Sequence, residues 1–470
     1  MSLQELKYAS ISELASLIKS HDVSPVEVAQ NTLDRISELD GCINAFLEVF
    51  EGTVIRDAKV AESEIVRGIY RGPLHGVPVG LKDLIDVAGK VTTAGSTILA
   101  KNVAKNDAKV TSLLRNAGAT IIGKLGCVEF ALGGTGLNPH YGNTRNPWDH
   151  ERITGGSSTG SAASVAAGML PGTLGSDTGG SIRMPASICG ITGLKPTYGR
   201  VSRSGVLDLS WSMDTIGPMT RRVEDCALML NSLAGYDPSD PASSAESVPD
   251  FTSGLNMGLE GIRIGIPSHY FFENIYPPIN QAVISALELM EADGATLVTL
   301  RMPWAGLGRS INTAITLPEA TVVHEQWINK SADDYSPEVL ARIQSAFDVP
   351  AADYIRSQRA RSWFSNQVAT VMSGVDVLIT PTIPIKTPTI QACEPAPGAN
   401  EGVEGGNIAN FTGVFNTTGQ PSLSIPCGFD PDGMPIGMMV TGKPFDEITV
   451  LRVSNAYENL AGWHDHHPTA

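Results

Sequence analysis

The chain has 470 residues, 42% of them hydrophobic, and a mean hydropathy near zero, which disfavours disorder and allows a large buried core. Its formal net charge of −16 argues against nucleic acid and anionic membrane surfaces, which need a cationic footprint, and favours a small neutral or cationic substrate. The longest apolar runs fall well short of the roughly 18 residues of a membrane span, and the first residues lack the basic and apolar regions of a secretory signal, so a cytoplasmic location is expected.

The first 66 residues read as helices. Leu14, Leu17 and Ile18 form an apolar stripe, and Ser24-Pro25-Val26-Glu27 reads as a capping box with proline at the first helical position, opening a helix through Leu33 and Ile36. A short strand is predicted near 43–49, then an amphipathic helix to Val66. From Gly72 the sequence GPLHGVPVGLKDLIDVAG enters an apolar strand, 77–81, that ends on Lys82 beside Asp83. Such a lysine either snorkels to the surface or is buried with its charge suppressed. A helix at 108–116, a strand at 120–123 and a turn-rich passage follow, and the strand–helix alternation predicts an α/β core.

Two glycine-serine clusters, GGSSTGS at 155–161 and GSDTGGSIR at 175–183, dominate the middle of the chain. Glycine weakens regular elements, so this density points to backbone N–H groups converging on one spot, with a serine beside them as nucleophile. A tightly packed helix of small residues is predicted over 162–169, and another helix over 223–234. Residues 235–261, rich in Pro, Ser and Asp, read as a surface connection. Strand, helix and strand are predicted at 262–267, 279–290 and 295–300. Mostly helical sequence runs from about 318 to 372, with Ser336-Pro337 as a helix start, and late strands at 376–380 and 421–426 return to the sheet.

Six cysteines without CxxC spacing exclude a zinc ribbon or redox dithiol on pattern grounds and read as buried free thiols. Cys189 lies close to the second cluster in sequence. His464, His466 and His467 read as a loose tail. No metal or organic cofactor is expected.

The chemistry follows by elimination. GGSSTGSAA lacks the Lys-Ser/Thr ending of a phosphate-binding loop. Asp177-Thr178-Gly179 occurs once, whereas an aspartic protease needs two copies. Neither cluster fits the GxSxG elbow of a Ser-His-Asp hydrolase, and no histidine stands in a distinctive context. Lys82 is the remaining candidate base, because a desolvated lysine can shed its proton near neutral pH, and two serine clusters fit a proton relay. Ser157 and Ser158 read equally as helix caps, and Ser176, Asp177 and Arg183 as structural support for the turn.

GVPVGLKDL at 76–84, GGSSTGSAASVAAG at 155–168 and GSDTGGSIRMPASICGITGLKPTYGRVS at 175–202 closely resemble the amidase signature family. So do NPWD at 146–149, MDTIGPM at 213–219 and FNTTGQPSLSIPCG at 415–428. The resemblance implies one amidase domain over 1–470, an α/β fold with a central mixed, twisted sheet covered by helices. Its parts are a helical segment (1–66), a signature core (67–234), a variable, mostly helical substrate-pocket region (235–372) and a return to the sheet (373–470). It implies a Ser–cis-Ser–Lys triad, with Lys82 as base, Ser157 as bridging serine after a cis bond from Gly156, and Ser181 as nucleophile. The oxyanion would be received by N–H groups of Thr178, Gly179, Gly180 and Ser181, and Ala131, Leu132 and Gly133 would line the substrate pocket. Thr159 stands where members commonly carry Gly or Ser. The implied enzyme is a hydrolase of C–N bonds other than peptide bonds, acting on a small amide, aryl amide, carbamate or ester. Its alternatives are a carbamate-selective hydrolase and the A subunit of a glutamine-dependent tRNA amidotransferase. Those subunits carry a carboxylate ahead of the last Asn-x-x-Gly segment, and here no acid lies between Gly405 and Asn416. A homodimer is the family-based expectation.

Overall fold

Lys82 and the second glycine-serine cluster meet because two parallel strands end side by side in one large sheet. The computed structural model describes residues 3–394 and 408–469. Its strands are β1 (Phe46–Val49), β2 (Pro78–Lys82), β3 (Thr120–Leu125), β4 (Arg145–Asn146), β5 (Asp149–Ile153), β6 (Gly172–Asp177), β7 (Thr192–Lys195), β8 (Thr215–Thr220), β9 (Arg263–Pro267), β10 (Thr296–Leu300), β11 (Val377–Pro381), β12 (Ser422–Phe429) and β13 (Pro435–Thr441). Eleven form one sheet in the order β1-β3-β2-β6-β8-β7-β12-β13-β11-β9-β10, and β4 and β5 pair separately. Parallel and antiparallel pairs mix, and helices cover the sheet, so the α/β class and mixed sheet agree with the sequence reading. Every residue of β2 and β6 is buried, as in strands covered on both faces.

The strands β2 and β6 run parallel, with Leu81 opposite Leu174. Their carboxyl ends therefore deliver Lys82, Ser176 and Asp177 to the same edge, where open α/β sheets place their ligands. The wholly buried helix Thr159–Ala166 starts inside the first cluster, one turn before the predicted boundary. Close approach requires the small residues: a Cβ on Gly160 would lie 2.1 Å from the Ala45 carbonyl oxygen.

The predicted capping box forms, with Ser24 Oγ accepting from the Glu27 N–H at 3.1 Å and Glu27 accepting from the Ser24 N–H at 2.8 Å. Residues 235–261 hold no helix or strand and are anchored by buried Phe251 and Leu259. Two expectations need correction. The helix Leu307–Ser331 runs through Pro318 rather than starting near it, because burial of one face outweighs the backbone bond that proline removes. The histidine tail is docked: the His467 ring stacks on Tyr8 at 3.8 Å, and Phe429 packs on Trp463 and His466. No helix among the described residues is long and apolar enough to cross a membrane.

Candidate active site

Lys82 is fully buried, so the snorkelling alternative does not hold. Its Nζ donates to Ser157 Oγ at 2.6 Å and to Ser176 Oγ at 2.9 Å. Burial pulls the ammonium pKa down to about 8, against the opposing pull of Cys127, Asp177 and Asp214. At pH 7 roughly a tenth of this lysine is thus a free amine able to accept a proton, and the share grows as the pH rises.

The first cluster is folded against the second. The Gly156–Ser157 peptide is cis. The Ser158 N–H donates to the Ser181 carbonyl at 3.2 Å and Ser158 Oγ to the Ser176 carbonyl at 3.2 Å, so neither group caps the helix that follows. The Thr159 hydroxyl donates to the Gly126 carbonyl at 2.9 Å and accepts from Thr144 Oγ1 at 3.1 Å.

Ser181 opens onto a cavity of about 210 Å³. Its hydroxyl has no hydrogen-bond partner among the described residues, so the Ser157–Ser181 link is not closed by a direct bond. Ala131, Leu132 and Gly133 line the same cavity, as do Thr178 and Gly179. The pocket loop is tied down by Glu129. Its carboxylate accepts from Ser96 Oγ at 2.7 Å and from the Ser336 N–H at 2.8 Å, and meets His140 Nε2 at 2.8 Å.

Asp177 builds the turn that carries Ser181. It accepts from the Gly180 N–H at 2.8 Å, from the Ile182 N–H at 3.1 Å and from Arg183 Nε and Nη2 at 3.0 and 2.9 Å. Burial alone would raise its pKa, but Arg183 and Asn416 hold it well below the usual carboxylate range. Gly180 therefore departs from the expected oxyanion set, since its N–H is committed to Asp177. Gly180 is also required by shape: φ is +129° and a Cβ would lie 2.1 Å from Thr412 Oγ1. Thr178 Oγ1 donates at 2.5 Å to Asp214, whose pKa burial pushes up to about 6. Cys189 is not part of this network, its buried thiol donating to the Thr154 carbonyl at 3.5 Å.

The family described as amidase matches residues 27–451. The chain belongs to the amidase family. It is 40% identical to an amidase of Pseudomonas putida over 470 residues and 39% identical, over 489 residues, to the A subunit of the glutamyl-tRNA(Gln) amidotransferase of Chloroflexus aggregans. Each comparison covers 99% of both chains. A solved structure described as a vestigial protein complex revealing the origins of an s-triazine catabolic enzyme superposes with a TM-score of 0.90 at 35% identity, over 96% of this chain and 98% of that one. The chain is thus an enzyme of the amidase class, which cleaves C–N bonds other than peptide bonds.

Four residues of this candidate site carried no role in the sequence reading. Asn416 donates to Asp177 Oδ1 at 2.8 Å, Asn312 Nδ2 donates to the Thr178 carbonyl at 3.0 Å, Asp214 holds Thr178, and Arg309 lines the cavity. Asn416 and Asp214 lie inside motifs quoted above. Asn312 and Arg309 lie in a helix with no local signal.

Proposed function

We propose that the protein hydrolyses a small carboxylic amide through an acyl-enzyme on Ser181. The observation that carries this reading is the buried Lys82, its pKa lowered by burial and its Nζ bonded to Ser157, together with the cavity onto which Ser181 opens. Neutral Lys82 accepts a proton from Ser157 while Ser157 accepts the Ser181 proton, as Ser181 Oγ forms a bond to the substrate carbonyl carbon. The oxyanion is received by the N–H groups of Thr178, Gly179 and Ser181. The relay returns the proton to the nitrogen, the C–N bond breaks, and ammonia or an amine leaves. Water then adds to the acyl ester by the same route and releases the carboxylic acid. The whole chain is taken as one domain in this reading.

The A subunit of an amidotransferase is the second reading, favoured by the Chloroflexus relative at 39% identity. Against it stands the absence of an acid between Gly405 and Asn416. Of that stretch, residues 405–407 lie outside the described residues.

The test is release of ammonia and p-nitroaniline from aliphatic amides, anilides and aryl carbamates by wild type and Ser181→Ala, with a fluorophosphonate label on Ser181. Serine-dependent turnover by the single purified chain supports the amidase reading, and the preferred arm separates amide from carbamate. Turnover only after a partner protein is added favours the amidotransferase. Turnover undiminished in Ser181→Ala discards the mechanism.

A further inference from the structure

The cavity beside Ser181 has the opposite sign to the chain as a whole. Arg309 and Arg342 line it, and among the described residues no aspartate or glutamate does. Arg342 shares its charge with Glu338 at 2.8 Å. Arg309 has no carboxylate partner among the described residues. Its hydrogen bond runs from Nη1 to Asn312 Oδ1 at 3.0 Å.

The helix end and the neighbouring Arg342 both disfavour a cation there. Arg309 stands in the first turn of the helix Leu307–Ser331, where the helix dipole disfavours positive charge. Burial and the charge of Arg342 both pull its pKa below the usual arginine value. A half-buried cation with no carboxylate partner among the described residues costs stability, and its place on the cavity wall points to an anion supplied from outside.

The position of that anion is set by the nucleophile loop. A Cβ built on Gly179 would lie 3.6 Å from Arg309 Nη1 and 3.4 Å from Asn312 Oδ1. Asn312 in turn bonds the Thr178 carbonyl at 3.0 Å. The guanidinium therefore abuts the loop two residues before Ser181. The cavity, at about 210 Å³, is smaller than the roughly 300–1,000 Å³ of drug-sized sites. Leu132, Met184, Leu209 and Leu317 supply apolar wall.

We infer that the amide substrate carries a carboxylate, seated on the Arg309 guanidinium while its scissile carbonyl lies against Ser181, an inference that rests on the amidase reading above. A planar guanidinium matches a carboxylate in bidentate fashion, and the apolar wall fits a short aliphatic spacer. The whole-chain charge, which favours a neutral or cationic substrate, does not describe this cavity.

The experiment measures protection of Ser181 from a neutral fluorophosphonate by succinamate and by butyramide, its uncharged analogue of similar length, at equal concentration. It uses full-length wild type, Arg309→Leu and Arg309→Lys, each referred to its own unprotected labelling rate. In wild type succinamate slows labelling more than butyramide by about tenfold or more, as one charge-assisted contact allows. That advantage disappears in Arg309→Leu and is partly kept in Arg309→Lys. Equal protection by the two amides in wild type overturns the inference while leaving the amidase reading intact, and so does an advantage that persists in Arg309→Leu. If the leucine variant does not fold, an undiminished advantage in Arg309→Lys overturns it instead. Absence of wild-type labelling at Ser181 overturns the amidase reading, and the inference with it.

Discussion

Asn416 reaches across 239 positions of sequence to donate its amide to Asp177 at 2.8 Å, while its own oxygen accepts from Arg183 Nη2 at 2.6 Å. Asp177 in turn holds the N–H groups of Gly180 and Ile182 on either side of Ser181. The last third of the chain thereby fixes the turn that carries the serine. The carboxylate shapes that turn without touching the cavity.

Removing one member of this buried set leaves the others uncompensated. Arg183→Met strands the Asp177 charge, and the expected loss is about 3–5 kcal/mol. Asn416→Ala removes the amide's bonds to the Asp177 carbonyl and carboxylate and the acceptor of Arg183, and costs about 1–3 kcal/mol. Urea unfolding measures both. A loss for Arg183→Met no larger than that for Asn416→Ala would contradict the ordering.

Gly180→Ala tests the shape of the turn. The added methyl would meet Thr412 Oγ1 at 2.1 Å in a backbone with φ of +129°, and the Thr412 hydroxyl supports the Gly179 carbonyl at 2.7 Å. Displacing that pair misplaces the neighbouring N–H donors, so turnover falls by about 100-fold. The check is kcat beside a melting curve. A near-normal kcat would show that the turn absorbs the methyl.

Glu458 gives a pH-dependent stability test away from the site. Both its oxygens accept from the Val223 N–H, at 3.1 and 3.2 Å. Burial pushes its pKa up to about 8, against that backbone bond, with nearby Asp225 adding to the rise. The folded state therefore holds this proton more tightly than the unfolded chain. Its contribution is complete below the ordinary carboxylate pKa and is lost as pH rises through about 8. Glu458→Gln keeps an acceptor and cannot ionise, so its urea midpoint falls less steeply between pH 5 and 8. A residual slope remains from Asp225, whose pKa burial raises to about 7. Parallel midpoint curves for the two proteins would remove Glu458 from the account.

The strand ending on Lys82 and the two glycine-serine clusters were legible because their signals are local. A charged residue closes an apolar run, and glycine and serine crowd where regular structure has no use for them. The strand β6 was hidden by the same feature, since Gly172 and Gly175 lack β propensity. The strand β8 carries Pro218 opposite Leu174 inside the sheet, a residue that argues against a central strand. Arg309 and Asn312 were invisible for another reason. An arginine in a polar helix turn reads as surface, and only the packing of the Leu307–Ser331 helix over the turn that carries Ser181 brings it to the cavity. The commitment of the Gly180 N–H was equally out of reach, because a cluster of donors does not reveal which of them an internal carboxylate has already taken.

Lys82 supplies the most direct test of the proposed relay. Only the neutral amine can accept a proton from Ser157, and burial sets the changeover at about 8. With a substrate whose chemistry limits turnover, kcat/KM should rise about tenfold per pH unit below that value and level off above it. Lys82→Met removes the base and should lower kcat by several orders of magnitude at every pH, leaving residual turnover without the rising limb. Ser176→Ala removes a second acceptor of the Nζ hydrogens, which lies 2.9 Å away. The ammonium form loses that support, so the inflection should move to lower pH. A profile flat from pH 6 to 9 in wild type, or an inflection unmoved in Ser176→Ala, would show that Lys82 does not limit the proton transfer.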